Sequence, residues 1–174
     1  MTTPLEGDLG WMLGVVFRAY AKAADHVLGD LPGGPRGYQV LSAAVGEPPR
    51  NQGAIGADLG IDRTILTYLI DDLEKAELVA RRPDPADRRS RLVVATTKGH
   101  ETWQSRREAL KHVEAHVLGA LPAGDAASFR GLLQAVACSA QARDPLTDLC
   151  EAVSAARDGD PAAAEGPAGR KPER

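Results

Sequence analysis

Aromatic residues are scarce: two Trp, two Phe and three Tyr in a chain of 174 residues. A core must therefore be built from aliphatic side chains and alanine. Cysteine is as scarce, with Cys138 and Cys150 alone, and no disulfide framework is expected. No apolar run approaches the roughly 18 residues that a membrane-spanning helix needs, and the opening MTTPLEGDLG lacks the basic start and apolar run of a signal peptide. One cytoplasmic domain with no membrane partner is the expectation. Also missing are a nucleophile with a neighbouring base and a phosphate-binding loop. His112 and His116 lie four apart in HVEAH, which raises a metal site, but the order differs from H-E-x-x-H and Glu114 would point elsewhere on the helix. Solvated histidines explain them. No enzyme, cofactor or metal is expected.

Positive charge is in the minority, and its placement is informative. The chain carries a net charge of −3, yet Val79 to Lys98 holds six basic residues against two acidic ones. That is a local +4, leaving −7 for the rest. An acidic body with one basic edge orients an encounter with DNA, although a charged hairpin can equally be a solvated one.

The basic edge follows the most organised stretch of the chain. From Asp62 onward, Leu66, Leu69, Ile70 and Leu73 fall at helical spacing on one face. The other face shows Arg63, Thr64, Thr67, Tyr68 and Asp71, and Asp62 suits the N-cap. In the lead-in, Ile55, Leu59 and Ile61 join Leu66 and Leu69 as an apolar wedge between two helices. Gly56 permits close helix approach, Gly60 can take the positive φ that ends a helix, and Asn51 suits the cap of the first helix. Val79 to Arg82 and Arg91 to Ala95 can then pair as a hairpin around PDPADRRS. Two prolines and two aspartates favour an exposed turn there. A basic hairpin beside a helix-turn-helix is a wing.

This helix-turn-helix followed by D-P-x-D-R-R (Asp84, Pro85, Asp87, Arg88, Arg89) resembles the MarR family of bacterial regulators, with coverage from about Leu9 to Ala155. The resemblance implies a mainly α fold: a winged helix-turn-helix with a two-stranded β-wing, flanked by N- and C-terminal dimerisation helices. It implies an obligate homodimer on double-stranded DNA, usually a repressor released by a small-molecule effector or an oxidant. One departure stands at Glu77, where the family usually has a glycine closing the recognition helix. A left-handed Glu77 would cost about 1 kcal/mol.

The remaining segments fit that frame as one domain over 1–157, with a DNA-binding lobe over 36–97 and dimerisation helices over 8–28 and 98–157. Leu9, Leu13, Val16, Tyr20, Ala24 and Val27 trace the first helical stripe. DLPGGPRG, Asp30 to Gly37, reads as a loop, and a short helix runs through Tyr38, Leu41 and Val45. Beyond the wing, Trp103, Leu110, Val113, Val117 and Leu121 mark a long helix, and Asp125 suits the cap of another through Phe129, Leu132, Leu133, Val136 and Ala140. Asp144-Pro145 opens a last helix with Leu146, Leu149, Cys150 and Val153 as its stripe. Residues 158–174 are low-complexity and should be disordered. These stripes can interlock two subunits or pack within one.

Direct readout falls to Arg63, Thr64, Thr67 and Tyr68, since arginine can pair bidentately with guanine and threonine can meet a thymine methyl. The threonines can instead be plain polar surface, and Tyr68 can pack on a neighbouring helix. Arg88 and Arg89 should flank or enter the minor groove, unless Asp87 ties one of them down. Gln52, at a helix start, suits a phosphate contact. An effector pocket between the dimer helices and the DNA-reading lobe would draw on Trp11, Arg18, His26 and Tyr38, of which Trp11 and Tyr38 can also be core. Cys150 falls on an apolar stripe and Cys138 off one, and no cysteine stands in the first helix where some relatives sense peroxide. A protein-docking winged helix that never reads DNA is the alternative, separable by the effect of an Arg88 substitution on DNA binding and its salt dependence.

Overall fold

A computed structural model of the chain describes residues 4–87 and 89–142. The expected last helix with Cys150, the tail and Arg88 lie outside these residues. The chain divides into two compact units, Met1–Pro122 and Ala123–Arg174.

Within the first unit, Asp8 caps α1 (Leu9–Leu28) by accepting from the Trp11 N–H at 2.7 Å. The helix α2 (Gly34–Val45) starts inside the stretch expected to be loop. Pro35 explains this, because its fixed φ suits the first helical turn. Strand β1 (Arg50–Asn51) leads into α3 (Gln52–Leu59) and α4 (Arg63–Lys75). Strands β2 (Val79–Pro83) and β3 (Arg91–Ala95) form the hairpin, and α5 (Thr97–Leu118) follows with Thr96 as its cap. Leu121, expected on the stripe of this helix, lies beyond its end.

The sheet has three strands in the order β1-β3-β2, all antiparallel. Val79 faces Ala95 and Pro83 faces Arg91, the hairpin expected around the Pro- and Asp-rich turn. The third strand was not expected; its two residues pair with Val93 and Leu92 and fasten the start of α3 to the hairpin.

Side chains of α2, α3, α4 and the sheet meet in one aliphatic core. Val40, Leu41, Ile55, Ile70, Leu73 and Val93 are completely buried, and Leu66 and Val79 nearly so. Leu59 and Leu69 of the expected wedge pack against this core half-buried. Leu110 of α5 and the C-terminal part of α1, through Ala24 and Leu28, close the other side. Trp103 bridges α5 to α2 by donating from Nε1 to the Ser42 hydroxyl at 3.0 Å.

Helix α4 ends on an unusual residue. Glu77 has φ 60°, the left-handed conformation anticipated above. Its N–H donates to the Glu74 carbonyl and the Leu78 N–H reaches back to the Leu73 carbonyl, both at 2.9 Å. This double closure is the pattern glycine usually completes. Lys98 Nζ then donates to the Ala76 carbonyl at 2.8 Å and Thr96 Oγ1 to the Glu77 carbonyl at 2.6 Å. A Cβ on Gly99 would fall 1.9 Å from the Leu78 carbonyl oxygen, so α5 starts hard against the end of α4.

The second unit contains α6 (Asp125–Ala142). Asp125 is its first residue rather than its cap. Phe129, Leu132, Leu133 and Val136 of the expected stripe are exposed.

Candidate nucleic-acid interface

The reading helix is set by two local devices and one close approach. Asn51 Oδ1 accepts from the Ala54 N–H at 2.9 Å and starts α3. Gly60, at φ 59°, ends it in the left-handed region. Asp62 Oδ1 accepts from Thr64 N at 2.8 Å and Ile65 N at 3.3 Å and starts α4. These N–H donors, Ile65 first and then Thr64, hold the Asp62 carboxyl below its ordinary pKa. A Cβ on Gly56 would stand 3.1 Å from Leu66 Cδ2 and 3.3 Å from the Ile61 carbonyl oxygen. A larger residue there would push the helices apart.

Burying Leu66, Ile70 and Leu73 turns the opposite face of α4 outward. Arg63 and Thr64 are exposed, and Tyr68 is 67% exposed, so Tyr68 is not buried against a neighbouring helix among the described residues. Thr67 is half-buried and engaged twice: its hydroxyl donates to the Arg63 carbonyl at 2.8 Å and accepts from Gln52 Nε2 at 2.6 Å. Thr67 and Gln52 thereby form a bridge between α4 and α3. Because the Thr67 hydrogen goes to Arg63, Gln52 must turn its NH2 group toward Thr67, which leaves its carbonyl oxygen and second N–H for another partner. Ile65, 45% exposed, is an apolar residue on this face that the polar-face reading left out. The one signal for it is its place beside Thr64 and Tyr68 rather than in the main stripe.

The wing turn is folded by its aspartates. Asp84 Oδ1 accepts from Ala86 N at 2.8 Å, and Asp87 Oδ1 from Arg89 N at 2.9 Å, local turns of the kind Asp favours. Asp87 thus holds the Arg89 backbone, and the Arg89 side chain has no ion-pair partner among the described residues. Arg63 and Arg82 are likewise unpaired among the described residues. Arg81 is different. Its guanidinium meets Asp71 at 2.5 Å and also meets Glu74, both on α4.

Between the start of α3 and α4 on one side and the hairpin on the other runs an open groove of about 950 Å³. Gln52, Arg63, Thr67, Arg89 and Arg91 line it together with Asp62 and Asp87, the two aspartates whose carboxylates are committed to backbone N–H groups. The structure thus gathers Gln52, Asp62, Arg63, Thr67 and Arg89 around one concavity, with Thr64 and Tyr68 exposed on the same helix.

A second groove, also of about 950 Å³, lies between α1 and α5. Val15, Val16, Val113 and Val117 give it apolar walls, and Lys22, His26, His112 and His116 give it polar groups. Of the four residues expected at an effector pocket, His26 lines this groove. Trp11 and Arg18 stand on the N-terminal part of α1, and Tyr38 packs half-buried against the core. Among the described residues no group of three His, Cys, Asp or Glu is placed to hold a metal ion. Cys138 on α6 is exposed.

The comparisons agree with this geometry. Residues 38–90 match the MarR family. An uncharacterized HTH-type transcriptional regulator, YcgE of Bacillus subtilis (strain 168), is 36% identical over 78 residues, which is 45% of this chain and 49% of that protein. The match thus spans about half the length of that relative. A MarR-family transcriptional regulator from Rhodococcus sp. RHA1 superposes with TM-score 0.69 at 27% identity, covering 78% of this chain and 96% of the other. CouR from Rhodococcus jostii RHA1, in a structure bound to p-coumaroyl-CoA, superposes with TM-score 0.67 at 28% identity over 78% and 96% of the two chains. A winged helix-turn-helix with its polar face outward and a D-P-x-D-R-R sequence at the wing stand beside these relatives: the chain is similar to MarR-family regulators, and its residues 38–90 match that family.

Proposed function

We propose that this protein is a sequence-specific transcriptional regulator, a homodimer that represses by occupying a pseudopalindromic operator and is released by a small molecule. The observation that carries the reading is the juxtaposition of the outward face of α4 with the basic wing turn across one groove. The N-terminal half of α4 would enter the major groove, where Arg63 offers bidentate donors to guanine and Ile65 or Thr64 a methyl contact to thymine. Arg89, with Arg88 beside it in the sequence, would reach the minor groove, where guanidinium groups are attracted to narrow stretches. Gln52 would contact a phosphate through the polar atoms left free by its bond to Thr67.

Dimerisation is supported by the apolar residues left uncovered on α1. Leu9, Leu13 and Phe17 are 66%, 53% and 69% exposed, a patch typical of a surface that another protein covers. A twofold partner would also set two reading helices one helical turn of DNA apart. For the effector, CouR supplies precedent in its bound p-coumaroyl-CoA. The groove with His26 is the candidate locus in this chain. A ligand there would act by favouring one spacing of the two reading helices over another.

Binding of the purified protein to the DNA just upstream of its own gene, followed by fluorescence anisotropy at two salt concentrations, tests the reading. Tight, salt-steep and competitor-resistant binding at one dimer per site is expected. Affinity equal to that for random DNA would defeat autoregulation, and no binding even at low salt would favour a protein-docking role.

A further inference from the structure

Arg81 sits where counting charges would place a DNA contact, in the basic hairpin and on the lining of the groove. Its bonds say otherwise. One guanidinium nitrogen meets Asp71 at 2.5 Å and another meets Glu74, carboxylates one helical turn apart on α4. Its backbone N–H donates to Glu74 Oε1 at 3.1 Å. Its side chain is 23% exposed, and in the sheet it faces Val93, which is completely buried. The strand that begins the wing is thus held to the reading helix at three points. The attachment on α4 begins one turn beyond Thr67, and β2 continues from Arg81 through two residues to the turn that carries Arg89.

We propose that Arg81 is a positioning residue: it fixes the wing relative to α4, and so sets the span between Arg63 and Arg89, without itself neutralising a phosphate. The proposal rests on the DNA-binding reading given above. Two carboxylates already offset its one positive charge, so Arg81 has no net charge to contribute to counterion release. Its planar fork presents a separate nitrogen to each carboxylate, whereas lysine offers one point charge on a shorter, unforked head.

Two variants test this while conserving local charge: Arg81→Lys, and the double variant Arg81→Gln with Asp71→Asn. Affinity for an operator duplex is measured by anisotropy across a salt series, with Arg89→Gln as the calibrating loss of one wing cation that has no ion-pair partner among the described residues. Both clamp variants should lose about tenfold in affinity, as expected when a charge-assisted fork is removed, with the wild-type salt slope. Arg89→Gln should lower the slope by about one. Amide exchange in β2 and β3 should accelerate in both clamp variants. Wild-type affinity in Arg81→Lys would overturn the proposal, as would a slope lowered by about one in the double variant. Should the double variant fail to fold, Arg81→Lys decides alone. Should the wild-type protein bind no DNA at all, the regulator reading fails separately, and unchanged amide exchange in Arg81→Lys would then dispose of the clamp.

Discussion

Helices α4 and α1 are both amphipathic, and each leaves a different kind of face uncovered. In α4 the apolar side is finished within the chain, with Leu66, Ile70 and Leu73 buried, and the polar side with Arg63, Thr64 and Tyr68 is left outward. In α1 only the C-terminal part is finished, through Ala24 and Leu28, while Leu9, Leu13, Val16 and Phe17 remain exposed. An uncovered polar face beside unpaired arginines suits a charged, hydrated partner such as DNA. An uncovered apolar face suits another protein surface, since exposed apolar area is favourably removed from water. The chain therefore presents two exposed faces of opposite chemistry.

Substitutions that attack one face should leave the other intact. Phe17→Asp should have the largest effect. The change enters a twofold interface twice, and burial of one such side chain is worth about 1.5–3 kcal/mol. Sedimentation should show monomer with unchanged helical circular dichroism, and specific DNA binding should be lost with the second half-site contact. Ile70→Ala strikes the buried side of α4 and should cost about 2–5 kcal/mol of folding stability. Thermal denaturation would read it as a fall in Tm that accompanies any loss of binding. Arg63→Ala should leave Tm and dimer intact and weaken operator binding by about 1–3 kcal/mol, with relaxed preference at one base pair.

Two smaller effects concern how α4 is bounded. Glu77→Gly should stabilise the protein by about 1 kcal/mol, because glycine occupies the left-handed region without the Cβ penalty. The gain would be net of the long, exposed ion pair of Glu77 with Lys98 at 3.6 Å. Asp62→Asn keeps an N-capping oxygen but removes a titration. The Ile65 and Thr64 N–H donors hold the Asp62 carboxyl below its ordinary pKa, so its charged form adds stability that is present above the unfolded value and is lost as pH falls through the folded one. Thermal scans in descending acid should therefore show the Asp62→Asn variant losing less Tm than wild type below about pH 4.

What was legible in the sequence was local. The caps Asn51 and Asp62, the Gly60 stop, the aliphatic wedge, the start of β2 and both ends of β3 follow from spacing and turn chemistry within a few residues, and the structure places them as read, with β2 running one residue further, to Pro83. The left-handed Glu77 was legible through the family resemblance, as a place where a glycine stood replaced. Features set by distant partners were not. Strand β1 has two residues, too short for any period, and exists because β3 offers it an edge. Arg81 looked like one more wing cation because its partners on α4 precede it by seven and ten residues. The bond between Thr67 and Gln52 was not legible because it crosses two helices.

Reading of a twofold DNA sequence by α4 and the wing is tested most directly by selecting bound duplexes from a random-sequence pool with the purified wild-type protein at physiological salt. The selected pool should be enriched in a pseudopalindrome whose half-site centres lie about one helical turn, or a whole multiple of it, apart, and Arg63→Ala should lose that enrichment. A pool that stays random after repeated selection, or an enriched sequence that Arg63→Ala selects equally well, would contradict it.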